Sequence, residues 1–268
     1  MKIICLIKFI PDVDNIQYDF EKNVLVRNQA DLVINPDDAA ALAFALALKK
    51  KDSDVSIEAI TMAPKGVTPE LKDILRRHVD RAVLISDSSF AGSDTFATAK
   101  ILCAYLKSQT YDVILCGTHS LDGFTAHIPS QISEQLDLPH MTGITGIEDE
   151  KFGANVATVE VETDQTTTYY EVNLPAVLGF SKESRYKLPY VSYADLELDV
   201  EDRLTYIDND ALGLQASEIG LAGSLTQVRT TYTRRLELNP DRIIVQNDTD
   251  GIEAVYQYLL ERGLVDHA

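Results

Sequence analysis

The 268-residue sequence predicts an α/β fold: a doubly wound, mostly parallel sheet with an antiparallel hairpin and a C-terminal arm. Three observations carry that prediction. Short apolar runs alternate with helical stretches through the first half. Runs such as IICLIK at 3–8 and VILC at 113–116 are apolar almost throughout, as strands covered on both faces are. Beyond residue 150 the pattern changes to alternating segments rich in Val, Thr and Tyr.

Taken in order, residues 3–8 form the first strand, ended by Pro11 and Asp12. Residues 15–33 alternate loosely and suggest a small hairpin turning near Glu21–Asn23. Asn35 is a natural N-cap and Pro36 a natural first residue of the helix that follows. Asp37 and Asp38 suit its positive end, and Lys49 to Lys51 its negative end. VSIEAITM at 55–62 is the second strand, followed by a helix from Pro69 to His78. VLIS at 83–86 is the third strand, and Gly92 to Thr95 opens a helix running to Lys107. Val113 to Cys116 is the fourth strand. It leads through the polar loop Thr118–Ala126 into a helix with Ile128, Ile132 and Leu136 on one face.

That last passage is the strongest functional signal. A strand, a loop of small residues and a helix N-terminus together bind phosphate through backbone N–H groups and the helix dipole. Thr118, Ser120, Thr125 and Ser130 add hydroxyls. The same pattern also describes an ordinary α/β turn with polar surface residues. In parallel sheets ligands sit beyond the carboxyl ends of the strands. Four loops converge there: Lys8–Asp12, Met62–Gly66, Asp87–Thr95 and Thr118–Ala126.

Residues 154–162 and 167–174 form the hairpin, and Leu174 to Phe180 a further strand. The segment 181–199 mixes charge, Pro and Tyr without helical period and reads as extended and exposed. Residues 205–240 carry no strong pattern. Gly251 to Arg262 regains a helix, with Ile252, Val255, Tyr256, Leu259 and Leu260 on one side. The expected division is a nucleotide-binding domain over 1–195 and an arm over 196–268 that packs on a partner.

Composition narrows the function. A balance of 42 Asp and Glu against 24 Lys and Arg, net −18, disfavours nucleic acid. No apolar run is long enough to span a membrane, and the N-terminus reads as a strand instead of a signal peptide. Cys5, Cys103 and Cys116 are widely spaced in apolar surroundings and read as reduced core residues of a cytoplasmic protein. GxSxG, P-loop, HExxH, CxxC and GxGxxG motifs are absent, and no metal cluster is expected. His119 and His127 flank the polar loop, as ligand contacts or as solvent-facing residues.

The motifs in series resemble those of the beta subunit of electron transfer flavoproteins. CLIKFIPD, with Lys8, Pro11 and Asp12, resembles VKQVPD; Ile34 to Ala39 resembles INPFDE; Thr61 to Pro64 resembles xMGP; and Asp80-Arg81-Ala82 resembles GADRA. FAGSDTFATA at 90–99 looks like FAGADTxATA. Cys116 to Ile132 looks like CGRQAIDGDTAQVGPEI, Leu174 to Leu178 matches LPAVL, and Arg185-Tyr186 matches the RY that follows.

The resemblance implies a Rossmann-like fold of the adenine nucleotide alpha-hydrolase kind and a heterodimer with an alpha subunit. It implies an electron carrier serving an acyl-CoA-type or other flavin dehydrogenase. It also implies a nucleotide in the beta subunit: FAD in the bifurcating, NADH-oxidising type, AMP in the respiratory type. The Ser93–Thr98 segment and the long tail resemble the bifurcating and anaerobic branch, which favours FAD. A flavin carries its own chemistry, so catalytic side chains are not required. The alternative from another class is a non-redox adenine-nucleotide-binding module.

Cofactor contacts implied by position are Leu6, Lys8, Asn35, Pro36, Asp37, Asp38, Met62, Ala63, Asp94, Thr95 and Thr98. The loop adds Asp122, Gly123, Phe124, Thr125, Ala126, His127, Ile128, Pro129, Ser130 and Gln131. Lys8 would screen phosphate charge. Asn35 would cap its helix and touch the ligand together. Asp122 would hold a ribose hydroxyl or cap the next helix. Arg185, Tyr186 and Leu188 stand where the family docks partner dehydrogenases. Several positions depart from the family: Thr118 replaces Arg, His119 replaces Gln, Phe124 replaces Asp, and Ile128-Pro129-Ser130 replaces Val-Gly-Pro, the proline removing a backbone donor.

Overall fold

A computed structural model of the chain describes residues 1–12, 18–19, 24–25, 32–153, 155–227 and 244–265. It divides into two compact units, Met1–Gln227 and Val228–Ala268.

The first unit is built on a nine-stranded sheet. Its centre is β1 (Lys2–Leu6), flanked by β6 (Ser56–Met62) and β8 (Val113–Gly117), both parallel to it. Outward from β6 lie β7 (Arg81–Ile85) and β13 (Leu204–Ile207). Outward from β8 lie β12 (Val177–Phe180), β9 (His140–Phe152), β10 (Val156–Glu162) and β11 (Thr167–Asn173). Across the sheet from β9 to β13 every pairing is parallel; only the β9–β10 and β10–β11 pairings are antiparallel. The expected hairpin is therefore the edge of the main sheet. Two small antiparallel pairs lie apart from it: β2 (Phe9–Pro11) with β5 (Leu32–Ile34), and β3 (Tyr18–Asp19) with β4 (Val24–Leu25). The turn expected at 21–23 lies outside the described residues.

Alternation along β1 separates two cores. Ile3, Cys5 and Ile7 face α1 (Pro36–Lys51) and α2 (Thr68–Leu75), packing with Ala41, Phe44, Leu71 and Leu75. Ile4 and Leu6 face α3 (Thr95–Leu106) and α4 (Ile128–Leu136), packing with Ile101, Leu102 and Ile132. Period-2 strands between period-3.6 helices give this layering. The Ala-rich first turns of α1 lie against the sheet, where Phe44 stacks on Phe180 at 5.3 Å. All three cysteines are buried and free, and burial pushes each thiol above its ordinary range.

Residues 140–152 show no clear pattern in the sequence. They form the 13-residue β9, whose register shifts against β10 near Gly146. Gly146 and Gly143 hide the period-2 signal there. A Cβ on Gly146 would lie 2.6 Å from the Arg185 guanidinium, which crosses this strand. Part of the patternless stretch 205–240, expected to belong to the arm, contributes β13 and two short helices, α5 (Asn209–Leu212) and α6 (Gly220–Gly223). They belong to the first unit. α2 ends at Leu75, three residues short of the expected His78, which adopts φ 68.

In the second unit α7 spans Thr249–Glu261, with the Asp248 side chain accepting from the N–H of Gly251 at 2.8 Å. No described helix is long and apolar enough to cross a membrane.

Candidate functional site

The carboxyl ends of β1, β6 and β8 open into a cavity of about 550 Å³, within the ~300–1,000 Å³ typical of small-molecule sites. Its apolar wall is Leu6, Ile7, Ile60, Met62, Leu102 and Cys116. Its rim comes from the first turn of α3, the 117–127 loop and the first turn of α4. A second depression of about 600 Å³ lies at the ends of β6 and β7 and shares Met62. Lys65, Ser86, Asp87, Phe90 and Asp208 line it.

One clamp fixes the rim. Asn35, Asp37 and Asp38 begin α1 but spend their side chains across the sheet. Asp38 accepts from the N–H of Gly117 at 2.6 Å and of Lys8 at 2.9 Å, tying the ends of β8 and β1. Asp37 accepts from the N–H of His119 at 3.1 Å and of Lys182 at 2.8 Å, tying the loop to the segment after β12. Asn35 donates to the carbonyl of His119 and accepts from the N–H of Leu121. The expected side-chain cap by Asn35 is therefore not formed. The loop competes for the same amide and wins both of its hydrogen-bonding functions. Gly117 is required at this junction: a Cβ there would lie 2.5 Å from Asp38 Oδ1 and 2.6 Å from Asp37 Cβ. Burial lifts the Asp38 carboxyl to about 7, against the two N–H donors that pull it down.

Lys8 reaches over the rim. Its ammonium lies 2.8 Å from Asp122 and 3.4 Å from Ser120 Oγ. Partial burial raises the Asp122 carboxyl, yet the Lys8 and Ser120 bonds outweigh it and hold it below the ordinary range. Asp94 caps α3 by accepting from the N–H of Ala97, and its other oxygen accepts from the N–H and hydroxyl of Thr226. Those bonds outweigh its desolvation and hold it low as well. Phe124 and Ala126 adopt left-handed φ of 51 and 53, so the loop stores backbone strain beside the cavity.

Of the residues expected to touch a cofactor, Leu6, Lys8, Asn35, Asp38, Met62, Asp94, Thr95 and Thr98 line the cavity. So do Gly123, Thr125, Ala126, His127, Ile128 and Pro129. Pro36 and Asp37 stand behind the wall, Ala63 lines the neighbouring depression, and Asp122, Phe124, Ser130 and Gln131 lie off the wall. Cavity residues outside the expected set are Ile7, Ile60, Ser93, Leu102, Cys116, Gly117, Thr118, His119, Ser120 and Thr226. The polar loop pointed to Thr118, His119 and Ser120. Nothing local marks Thr226, which arrives through the Ser224–Gly92 and Thr226–Asp94 contacts. Thr118, where the family has Arg, bridges strands: its hydroxyl donates to the carbonyl of Gly179 and accepts from the N–H of Gly143.

The expected docking residues lie away from the cavity. Arg185 donates to the carbonyl of Ile147 at 2.9 Å, and Tyr186 packs on Phe44 and Phe180. Leu188 is half-buried against the first core. Beyond them Tyr190 and Tyr193 are 95% and 92% exposed.

Comparison with known proteins gives the same family as the motifs. The electron transfer flavoprotein domain matches residues 22–188. The electron transfer flavoprotein subunit beta of Thermoanaerobacterium thermosaccharolyticum is 31% identical over 99% of this chain and 100% of its own length. The caffeyl-CoA reductase-Etf complex subunit CarD of Acetobacterium woodii is 31% identical over 87% of this chain and 88% of its own. Protein FixA of Azotobacter vinelandii is 30% identical over 92% and 89%. The chain belongs to the electron transfer flavoprotein family, among its beta subunits.

Proposed function

We propose that this chain is the beta subunit of a heterodimeric electron carrier that holds FAD in the rim cavity. The observation that carries this reading is the pair of adjoining spaces. The 550 Å³ cavity sits among helix N-termini, and the second space, of about 600 Å³, continues past Met62. A mononucleotide leaves the second space unused; a dinucleotide occupies both.

The donor set fits such a ligand. Leu6, Ile60, Leu102 and Cys116 offer an apolar face for a planar ring. Thr95 and Thr98 offer hydroxyls to a ribose. Asp94 already places a negative charge on the α3 terminus, so the phosphates belong at Lys8, Thr125 and the α4 terminus. Pro129 supplies no N–H there, which shifts the work to Lys8 and the loop. A bound flavin supplies hydride acceptance and one-electron transfer. The protein's own share is to seat it, exclude water and set local charge.

The partners of this reading are an alpha subunit, against which α7 packs, and a flavin dehydrogenase of the acyl-CoA type. The name of the Acetobacterium relative, a caffeyl-CoA reductase complex subunit, supports the second. The docking segment is 185–198, anchored by Arg185 and Tyr186 and presenting Leu188, Tyr190 and Tyr193. NADH is the electron donor, and the complex is cytoplasmic.

The test is to purify the chain with its alpha partner, release the nucleotides and count them. Two FAD per heterodimer is the expected result. One FAD and one AMP assigns the respiratory type instead. A colourless complex with adenine nucleotide alone assigns a non-redox module.

A further inference from the structure

From the geometry of the loop we infer that His119, oriented by Asp37, is a proton-dependent phosphate-binding residue of the cavity. The inference rests on the nucleotide reading of that cavity. His119 is the residue at which Asn35 and Asp37 hold the loop backbone, and it lines the space. Its Nδ1 lies 2.8 Å from Asp37 Oδ2. Asp37 is 2% exposed and its other oxygen is fixed by the N–H of Lys182, so this carboxylate cannot turn away. Phe124 packs on the ring at a centroid distance of 5.3 Å. A carboxylate on one nitrogen fixes the Nδ1–H tautomer and the ring's orientation, and a proton on the other turns Nε2 into a donor for phosphate. Nε2 has no protein partner among the described residues and is left for a ligand.

The surrounding charges leave a place for a second cation beside Lys8. Lys8 is tied to Asp122, and Asp94 and Asp38 are acidic groups on the wall. The ammonium of Lys182 lies 4.0 Å from Glu183. His127 contacts Thr95 at 3.5 Å. Thr118, the neighbour of His119, is spent on strand contacts and brings no charge. An imidazolium at 119 therefore supplies positive charge to a ligand phosphate, and deprotonation withdraws it.

FAD and AMP binding to the nucleotide-stripped heterodimer should be titrated from pH 5.5 to 8.5, for wild type and His119→Gln. Comparing wild type with variant cancels the ligand's own ionisation. Wild-type affinity is expected to exceed the variant's by about tenfold at the acid end, and the two to converge at the alkaline end. Nitrogen NMR of wild-type His119 should show Nε2 shifting on nucleotide addition. Retained binding with parallel pH profiles, or an unmoved Nε2 signal, overturns the assignment of His119 alone. No nucleotide binding by wild type at any pH overturns the reading of the cavity, and this inference with it.

Discussion

The side chains at the start of α1 show how one residue serves two levels of structure. Asp38 is buried, yet two backbone N–H groups hold it, so it acts as a joint between strands. Its carboxyl lies at about 7 in the folded chain against an ordinary 3.8, so the folded state keeps a proton that the unfolded state releases. That contribution to stability is complete below about 3.8 and is lost as pH rises through about 7. Urea midpoints measured from pH 4 to 8 should fall more steeply for wild type than for Asp38→Asn; parallel curves would refute the assignment. Gly117→Ala places a methyl against Asp38 and Asp37 and should cost about 1–3 kcal/mol in denaturant melts. Lys8 and Asp122 make opposing predictions. Lys8→Ala should weaken nucleotide binding about tenfold through loss of a charge-assisted bond. Asp122→Asn should leave binding intact or tighten it, because it frees Lys8. A large loss on Asp122→Asn would instead mean that Asp122 holds the ribose.

Among the elements, α4 and α3 divide the work by what sits at their first turns. α3 carries Asp94 as its cap, so its dipole is already answered by a carboxylate. α4 has no side-chain cap, with Pro129 in its first turn. Its N–H groups beyond the proline remain for an anion. Pro129→Ala restores one donor to that turn. The variant should bind nucleotide up to about tenfold more tightly, one charged hydrogen bond, for a stability change under about 1 kcal/mol. Calorimetric titration decides it: unchanged affinity would place the phosphate elsewhere on the rim. Pro36 with Asp37 and Asp38 in α1, and the Gly92–Thr95 opening of α3, are legible as helix starts because capping and dipole placement are local. Asn35 misled the cap assignment because its amide is claimed by residues more than eighty positions away.

Across the whole molecule, the sheet ends where the chain returns late. β13 pairs with β7, and Ser224 and Thr226 reach Asp94 beside the cavity. A chain ending at 227 should therefore fold and melt cooperatively. One ending at 195 strips the β7 edge and should aggregate or melt at lower temperature, as circular dichroism and gel filtration would show. Equal melting of the two would return the boundary to 195. The α/β class, the main strand runs, the helix starts and the family are encoded in neighbouring residues, through apolar periodicity, caps and ordered motifs. Long-range contacts make Gly-interrupted β9 a strand, bring β13 to close an edge, and set Asp37 on His119. Those outcomes depend on hydrogen bonds and packing between residues far apart in the chain, and no local pattern encodes which distant donor a buried carboxylate will accept.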